Sequence, residues 1–429
     1  MLKNKITNIS ALQFYQLLRY TTLVIISILL SKSYFTQVQI GEYETLLFIA
    51  GSVSFFWLNS IIKSFLSLHK RANKEQSDIF NFYILILIFS IVIFLILKIL
   101  VLSKISGLHN IKYVNLITYY ILLIGTSSIS EYILLVKNKI KEIFIYGVIS
   151  YSIQFIIVGC SIFIFADILY VLYSLILVSI LRNIFTMYIV AKYSTIKISI
   201  QFLKNNLKLS YPLMFSFLLS GSAQYIDGII VKYKYNNDVF AIFRYGTKEF
   251  PILIILTDAL SNALVSEFSS TNIKNVLLKL KQKSTKLIKY LFPVSILLLV
   301  FSNYLFQYIF NKQFIESAKV FDIYLLLIIS RMLFPQTIML GLRNTKIIFS
   351  ASIIEFIINV TLSLLLVQYY GIEGVAFATI IAFISEKLFL IYKLKTVYKI
   401  SAKEYINIKQ LLLFSLLLIF IFIIKYFFI

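Results

Sequence analysis

Apolar residues run along this chain in long blocks separated by short polar intervals. A helix crossing about 30 Å of hydrocarbon needs about 20 mostly apolar residues. On that length the pattern predicts thirteen spans, at 10–31, 43–67, 79–103, 112–136, 143–166, 168–191, 208–231, 239–264, 288–311, 321–342, 347–369, 372–394 and 409–429. Segment 143–166 carries no charge, 79–103 carries only Lys98, and Lys425 shortens the last block. Composition agrees: 60% of the 429 residues are hydrophobic and 14% are charged, against about 25% charged in soluble domains. A soluble chain of this size would lack the polar residues to cover itself, so the expectation is an all-α integral membrane protein.

The formal net charge of +23 first suggests a nucleic-acid partner, but the positions of the charges give it another meaning. With the N-terminus in the cytoplasm, the segments on that side hold 25 Lys and Arg, and the opposite loops hold 7, among them Lys32, Lys112 and Lys312. Basic residues concentrate on the cytoplasmic side of membrane proteins, so most of the charge sets topology, and no nucleic-acid partner is expected. Residues 1–10 lead directly into the first span without a cleavable signal pattern. The single cysteine, Cys160, rules out a disulfide framework and reads as a small buried hydrophobe. The abundant Tyr and Phe read mainly as lipid-facing and interfacial side chains.

The longest connections, near 192–207 and 267–287, are cytoplasmic, and the first divides the spans six and six. The expected organisation is an N-terminal six-helix lobe over 1–205, a C-terminal six-helix lobe over 206–397, and an additional hydrophobic helix over 398–429. Gly41-Glu42-Tyr43 and Ala241-Ile242-Phe243 open corresponding spans at an offset of 200, which suits a pseudo-symmetric pair around a central cavity.

Charges inside spans carry the functional reading, because each costs about 2.5–3.5 kcal/mol at mid-span. Lys63, Lys98, Glu131, Glu386 and Lys387 lie near span ends, where side chains can snorkel. Arg19, Arg182 and Arg331 lie deeper, either as inter-helix ion pairs or as functional groups. Gln13, Gln16 and Arg19 share one face of the first span, and Arg244, Lys248, Pro251 and Asp258 form a similar stripe in the eighth. Basic groups with fewer acids suit an anion, and guanidinium matches phosphate oxygens in bidentate fashion.

Leu18-Arg19-Tyr20, Gly41-Glu42-Tyr43, Tyr225-Ile226-Asp227, Phe243-Arg244-Tyr245-Gly246-Thr247-Lys248-Glu249 and Tyr370-Gly371-Ile372-Glu373-Gly374-Val375-Ala376-Phe377-Ala378-Thr379 occur in that order. In these the chain resembles the polysaccharide (O-antigen type) flippase branch of the multidrug/oligosaccharidyl-lipid/polysaccharide exporter superfamily. The resemblance covers nearly the whole chain. It implies an inner-membrane transporter that moves an undecaprenyl-pyrophosphate-linked oligosaccharide from the cytoplasmic to the outer leaflet by alternating access. The product would be a surface polysaccharide such as the O-antigen of lipopolysaccharide.

The family's basic cavity residues handle the pyrophosphate, a role that maps to Arg19, Arg244, Lys248 and Arg331, with Gln16 beside Arg19. Related members hold a sodium ion in the second lobe, for which Asp227, Asn359 and Thr379 are the matching set. No cofactor is implied beyond a coupling ion, Na⁺ or H⁺. The implied partners are the lipid-linked oligosaccharide, membrane lipid, a polysaccharide polymerase and glycosyltransferases. A multidrug exporter of the same superfamily would favour an acidic cavity. A polymerase would need a sizeable outer loop or an acidic motif at a span end. The two histidines, His69 and His109, fall in loops, so no general base is placed in the bilayer and the chain is not expected to be an enzyme.

Overall fold

The computed structural model describes residues 8–71, 76–103, 109, 111–248, 253, 256–257, 260–261, 264–265, 272–342 and 344–428. Among these the regular structure is helical throughout, as a chain buried in lipid requires, since each backbone polar group must find its partner within its own segment. The helices are α1 Asn8–Lys32, α2 Gln37–Arg71, α3 Ser77–Leu102, α4 Val114–Ser127, α5 Ser130–Val136, α6 Ile140–Ile164, α7 Ile168–Tyr193, α8 Ile200–Lys234 and α9 Asn237–Gly246. After them come α10 Ile273–Leu305, α11 Ile315–Leu325, α12 Leu327–Arg331, α13 Pro335–Gly341, α14 Thr345–Tyr398, α15 Ala402–Tyr405 and α16 Ile408–Phe428.

Nine helical stretches among the described residues are long and apolar enough to cross a membrane, and a tenth is Lys312–Arg331 with Pro335–Gly341, bent by 45°. One of the nine, α14, is two spans in one: its 54 residues extend about 80 Å at 1.5 Å per residue, more than twice the hydrocarbon thickness. The break is at Gly371, where φ is +60°. Glycine lacks the Cβ that makes a left-handed backbone costly. Gly374 completes the turn, because a Cβ there would collide with the Leu366 carbonyl. The small residues that open the twelfth span thus serve a contact within the helical turn itself. Stops elsewhere are local chemistry. Asp167 caps α7 by accepting from the Leu169 N–H at 2.9 Å, and Asn344 caps α14 by accepting from the Ile347 N–H at 3.2 Å.

The chain forms two compact units, Met1–Leu218 and Leu219–Ile429, so the division falls inside α8. In the first unit, α1 lies on α6 through the stacked pair Phe14–Phe144, 4.3 Å between centroids. A core of Trp57, Ile61, Phe65, Phe82, Ile86, Ile129, Ile133 and Tyr146 joins α2, α3, α5 and α6. Ser130 and Thr186 share a hydrogen bond of 2.7 Å that ties α5 to α7. In the second unit, Ser317 donates to the Ile242 carbonyl at 2.8 Å, and Gly246 lets α9 approach α11 so closely that a Cβ would lie 2.6 Å from the Ser317 carbonyl oxygen.

Several expectations need correction. His69 is not in a loop: α2 runs to Arg71, and His69 is buried 3.3 Å from Asp78 in the first turn of α3. Cys160 is exposed on α6, because the apolar surface of a membrane helix faces lipid as well as protein. Lys425 does not cut the last span short, since α16 reaches Phe428. Its ammonium is buried, donating to Asp322 at 2.6 Å, to the Leu299 carbonyl at 2.7 Å and to the Ser302 hydroxyl.

Candidate functional site

The first unit places Gln16 and Arg19 on an exposed part of α1, and the packing of Tyr15 sets that orientation. Tyr15 is buried, stacked on Tyr146 at 5.7 Å and edge-on to Tyr151 at 5.2 Å. Gly147 makes room for it: a Cβ there would lie 3.0 Å from the Tyr15 ring. Arg19, one turn after Tyr15, interacts electrostatically with Tyr15, Tyr151, Glu131 and Tyr132. No described residue holds its guanidinium in a hydrogen bond or ion pair. Arg182 contrasts with it. It donates through Nε to Ser150 and through Nη2 to Gln154, both at 2.7 Å, and lies 4.7 Å over the Tyr151 ring. Arg182 is therefore a neutral-partner hydrogen-bonding group rather than one half of an ion pair, and Arg19 is the more available cation.

Glu131 does not snorkel. The helix breaks between α4 and α5, and Glu131 in the first turn of α5 is 3% exposed. Glu386 and Lys387 likewise turn inward. Lys387 donates to Glu386 at 2.6 Å and to Gln336 at 3.2 Å, which buries the pair rather than sending either side chain to the interface.

The second unit brings Asp227, Asn359 and Thr379 together. Thr379 donates to Asp227 Oδ2, which also accepts from the Tyr324 hydroxyl at 2.7 Å. Asn359 Nδ2 donates to Thr379 Oγ1 at 3.3 Å. The reversal at Gly371 sets this up, because it folds the limb carrying Asn359 back along the limb carrying Thr379. Asp227 Oδ1, Asn359 Oδ1 and Ser363 Oγ are all buried without a hydrogen-bond partner. A buried unpartnered oxygen costs about 1–3 kcal/mol, and oxygens of this kind are what a hard cation takes as ligands. With one carboxylate the donor set suits a monovalent ion. Among the described residues no group of three His, Cys, Asp or Glu could hold a metal ion. Sequence reasoning missed Tyr324, which bonds to Asp227, and did not single out Ser363. Ser363 stands four residues after Asn359, on the same helical face, and that spacing was the available signal.

The remaining basic candidates are also in the second unit. Arg244 is in the last turn of α9, and Lys248 lies past its end with the ammonium 3.9 Å over the Tyr245 ring. The expected continuous stripe from Arg244 through Lys248 is interrupted, because α9 closes at Gly246 where α11 presses against it. Glu249, Pro251 and Asp258 lie outside the described residues. Arg331 ends α12, beside Tyr324, Ile328 and Leu253. Gln16 and Arg19 belong to one unit, and Arg244, Lys248 and Arg331 belong to the other.

Solved structures similar to this chain include transporters. The lipid II flippase MurJ in an inward-closed conformation is 19% identical, with a TM-score of 0.71 over 96% of this chain and 92% of that one. A multidrug resistance MATE family transporter of the MOP superfamily, inward-facing, is 14% identical, with a TM-score of 0.61 over 95% of each. A MOP superfamily transporter from Pyrococcus furiosus, described as having a binding pocket of reverse polarity, is 13% identical, with a TM-score of 0.54 over 96% of this chain and 94% of that one. No curated protein matches the chain in sequence. The profile of the polysaccharide biosynthesis protein family matches residues 49–319, more than half of the molecule. With that match the chain belongs to the polysaccharide biosynthesis protein family, and its fold is that of the MurJ and MATE structures.

Proposed function

We propose that this protein is a flippase, not an enzyme, that carries an undecaprenyl-pyrophosphate-linked oligosaccharide from the cytoplasmic to the outer leaflet. It would do so in the inner membrane with its N-terminus in the cytoplasm, supplying a surface polysaccharide such as O-antigen. The observation that carries this reading is Arg19: a guanidinium far along a membrane helix, exposed and, among the described residues, held by no hydrogen bond or ion pair. An ionisable group inside a membrane span is by default read as functional. Guanidinium binds phosphate oxygens through two parallel N–H donors, and Gln16 one turn earlier adds a neutral donor for the same group. Arg244, Lys248 and Arg331 are the basic groups of the second unit assigned to the same headgroup in other states of an alternating-access cycle. The family match and the likeness to a lipid II flippase support a lipid-linked substrate. A polymerase and glycosyltransferases are the partners this role would need.

Asp227 Oδ1, Asn359 Oδ1 and Ser363 Oγ would hold a monovalent coupling ion, with Thr379 and Tyr324 orienting Asp227. When bound, the ion neutralises the Asp227 carboxylate, so the second unit could repack without an uncompensated charge. Arg19→Ala, at equal membrane expression, is expected to abolish surface glycan, and Arg19→Lys to restore it in part. Undiminished glycan in Arg19→Ala would remove the phosphate-clamp reading.

A further inference from the structure

Glu131 is a buried acid of the first unit that the proposed function leaves without a task. Its Oε2 has no hydrogen-bond partner, and the residue is 3% exposed. An ionised carboxylate in such a place is costly unless nearby cations balance it. Every packed element contributes to its surroundings. From α1 come Tyr15 and Arg19, from α6 Tyr146 and Tyr151, from α7 Arg182, and from α5 itself Tyr132. The neighbouring α2 contributes the apolar core residues Ile61 and Phe65. The charged groups are therefore one acid and two arginines that act on it electrostatically.

The two arginines are held differently. Arg182 is fastened by Ser150, Gln154 and the Tyr151 ring, so it stays where it is. Arg19 has no such fastening among the described residues. With Glu131 ionised the three groups sum to one positive charge, and with Glu131 protonated they sum to two. A pyrophosphate diester carries two negative charges. A phosphate that engages Arg19 takes away the counter-charge of Glu131 and sets a second anion beside it, which favours the neutral acid.

We propose that Glu131 is a proton-binding site linked to the anion site at Arg19. It offsets the charge of Arg19 at longer range, without an ion pair, in the empty state and takes one proton from water when a pyrophosphate group occupies Arg19. The proton returns to water when the group leaves. Because linkage is reciprocal, a falling pH tightens anion binding and bound anion raises proton uptake. This inference rests on the reading of Arg19 as the phosphate ligand, and the test separates the two.

The purified full-length protein is titrated with farnesyl pyrophosphate by calorimetry, in buffers of different ionisation enthalpy and at a series of pH values. Wild type is expected to take up about one proton more per bound ligand than Glu131→Gln, a comparison that cancels the ligand's own titration. Its affinity is expected to fall about tenfold per pH unit more steeply than that of the variant, the slope of one linked proton. Glu131→Gln should still bind. Equal proton uptake and equal pH slopes in the two proteins would overturn the proposal while leaving Arg19 as a ligand. Undiminished binding by Arg19→Ala would instead overturn the phosphate clamp and this proposal with it. Should Glu131→Gln fail to fold, infrared difference spectra of wild type serve. The carbonyl band of a newly protonated carboxylic acid should grow on ligand addition, and its absence would overturn the proposal.

Discussion

Single polar side chains inside this membrane protein fall into those already satisfied and those left waiting. Lys425 belongs to the first kind, held by Asp322, Ser302 and the Leu299 carbonyl. Removing one partner of a buried ion pair costs about 3–5 kcal/mol, whereas replacing both by apolar groups can be neutral. Lys425→Met is therefore expected to lower the melting temperature in detergent, and the double variant Lys425→Met with Asp322→Leu to recover most of it. Asp227, Asn359 and Ser363 belong to the second kind, each with a buried oxygen lacking a partner. If they form the ion site, sodium should raise the melting temperature of the wild type and not of Asp227→Asn. A sodium response retained in Asp227→Asn would move the ion elsewhere.

Elements here are shaped as much by where they break as by where they run. The reversal at Gly371, with φ of +60°, converts one 54-residue helix into two limbs that face Asn359 toward Thr379. Gly371 pairs that φ with a ψ of −140°, a conformation essentially confined to glycine, and another residue held there costs about 1–3 kcal/mol. Gly371→Ala is expected to destabilise the protein by about that much and to weaken any sodium-dependent stabilisation, since the same turn aligns the two donors. The break between α4 and α5 sets Glu131 in the first turn of α5, where it is buried. At Gly246 the approach of α11 stops α9 and leaves Lys248 outside the helix. These breaks were only partly legible in the sequence. Gly371 and Gly374 stood out as small residues, but which backbone they would meet depended on the returning limb.

At the scale of the molecule, alternating loop charge makes a prediction about sidedness. With Cys160→Ser as background, Asn138→Cys should react with an impermeant maleimide only from the cytoplasmic face and Lys312→Cys only from the outer face. Labelling of both from one side would overturn the N-inside topology. The span pattern itself depended on little besides composition, because a backbone in lipid must close its hydrogen bonds within each segment, and about 20 apolar residues suffice to signal that. Hence the helical class and most of the membrane-spanning stretches were readable from the sequence. The positions of Arg19, Asp227, Asn359 and Thr379 could be nominated from charge, spacing and resemblance. Their surroundings could not be, since a side chain's state in a membrane protein depends on partners distant in sequence. Only the tertiary structure turned Glu131, Glu386 and Lys387 inward and fastened Arg182 while leaving Arg19 unheld. Only it joined Tyr324 and Thr379 to Asp227. A local hydropathy pattern reports the cost of entering lipid, and the packing of one helix on another decides which polar groups are repaid inside it.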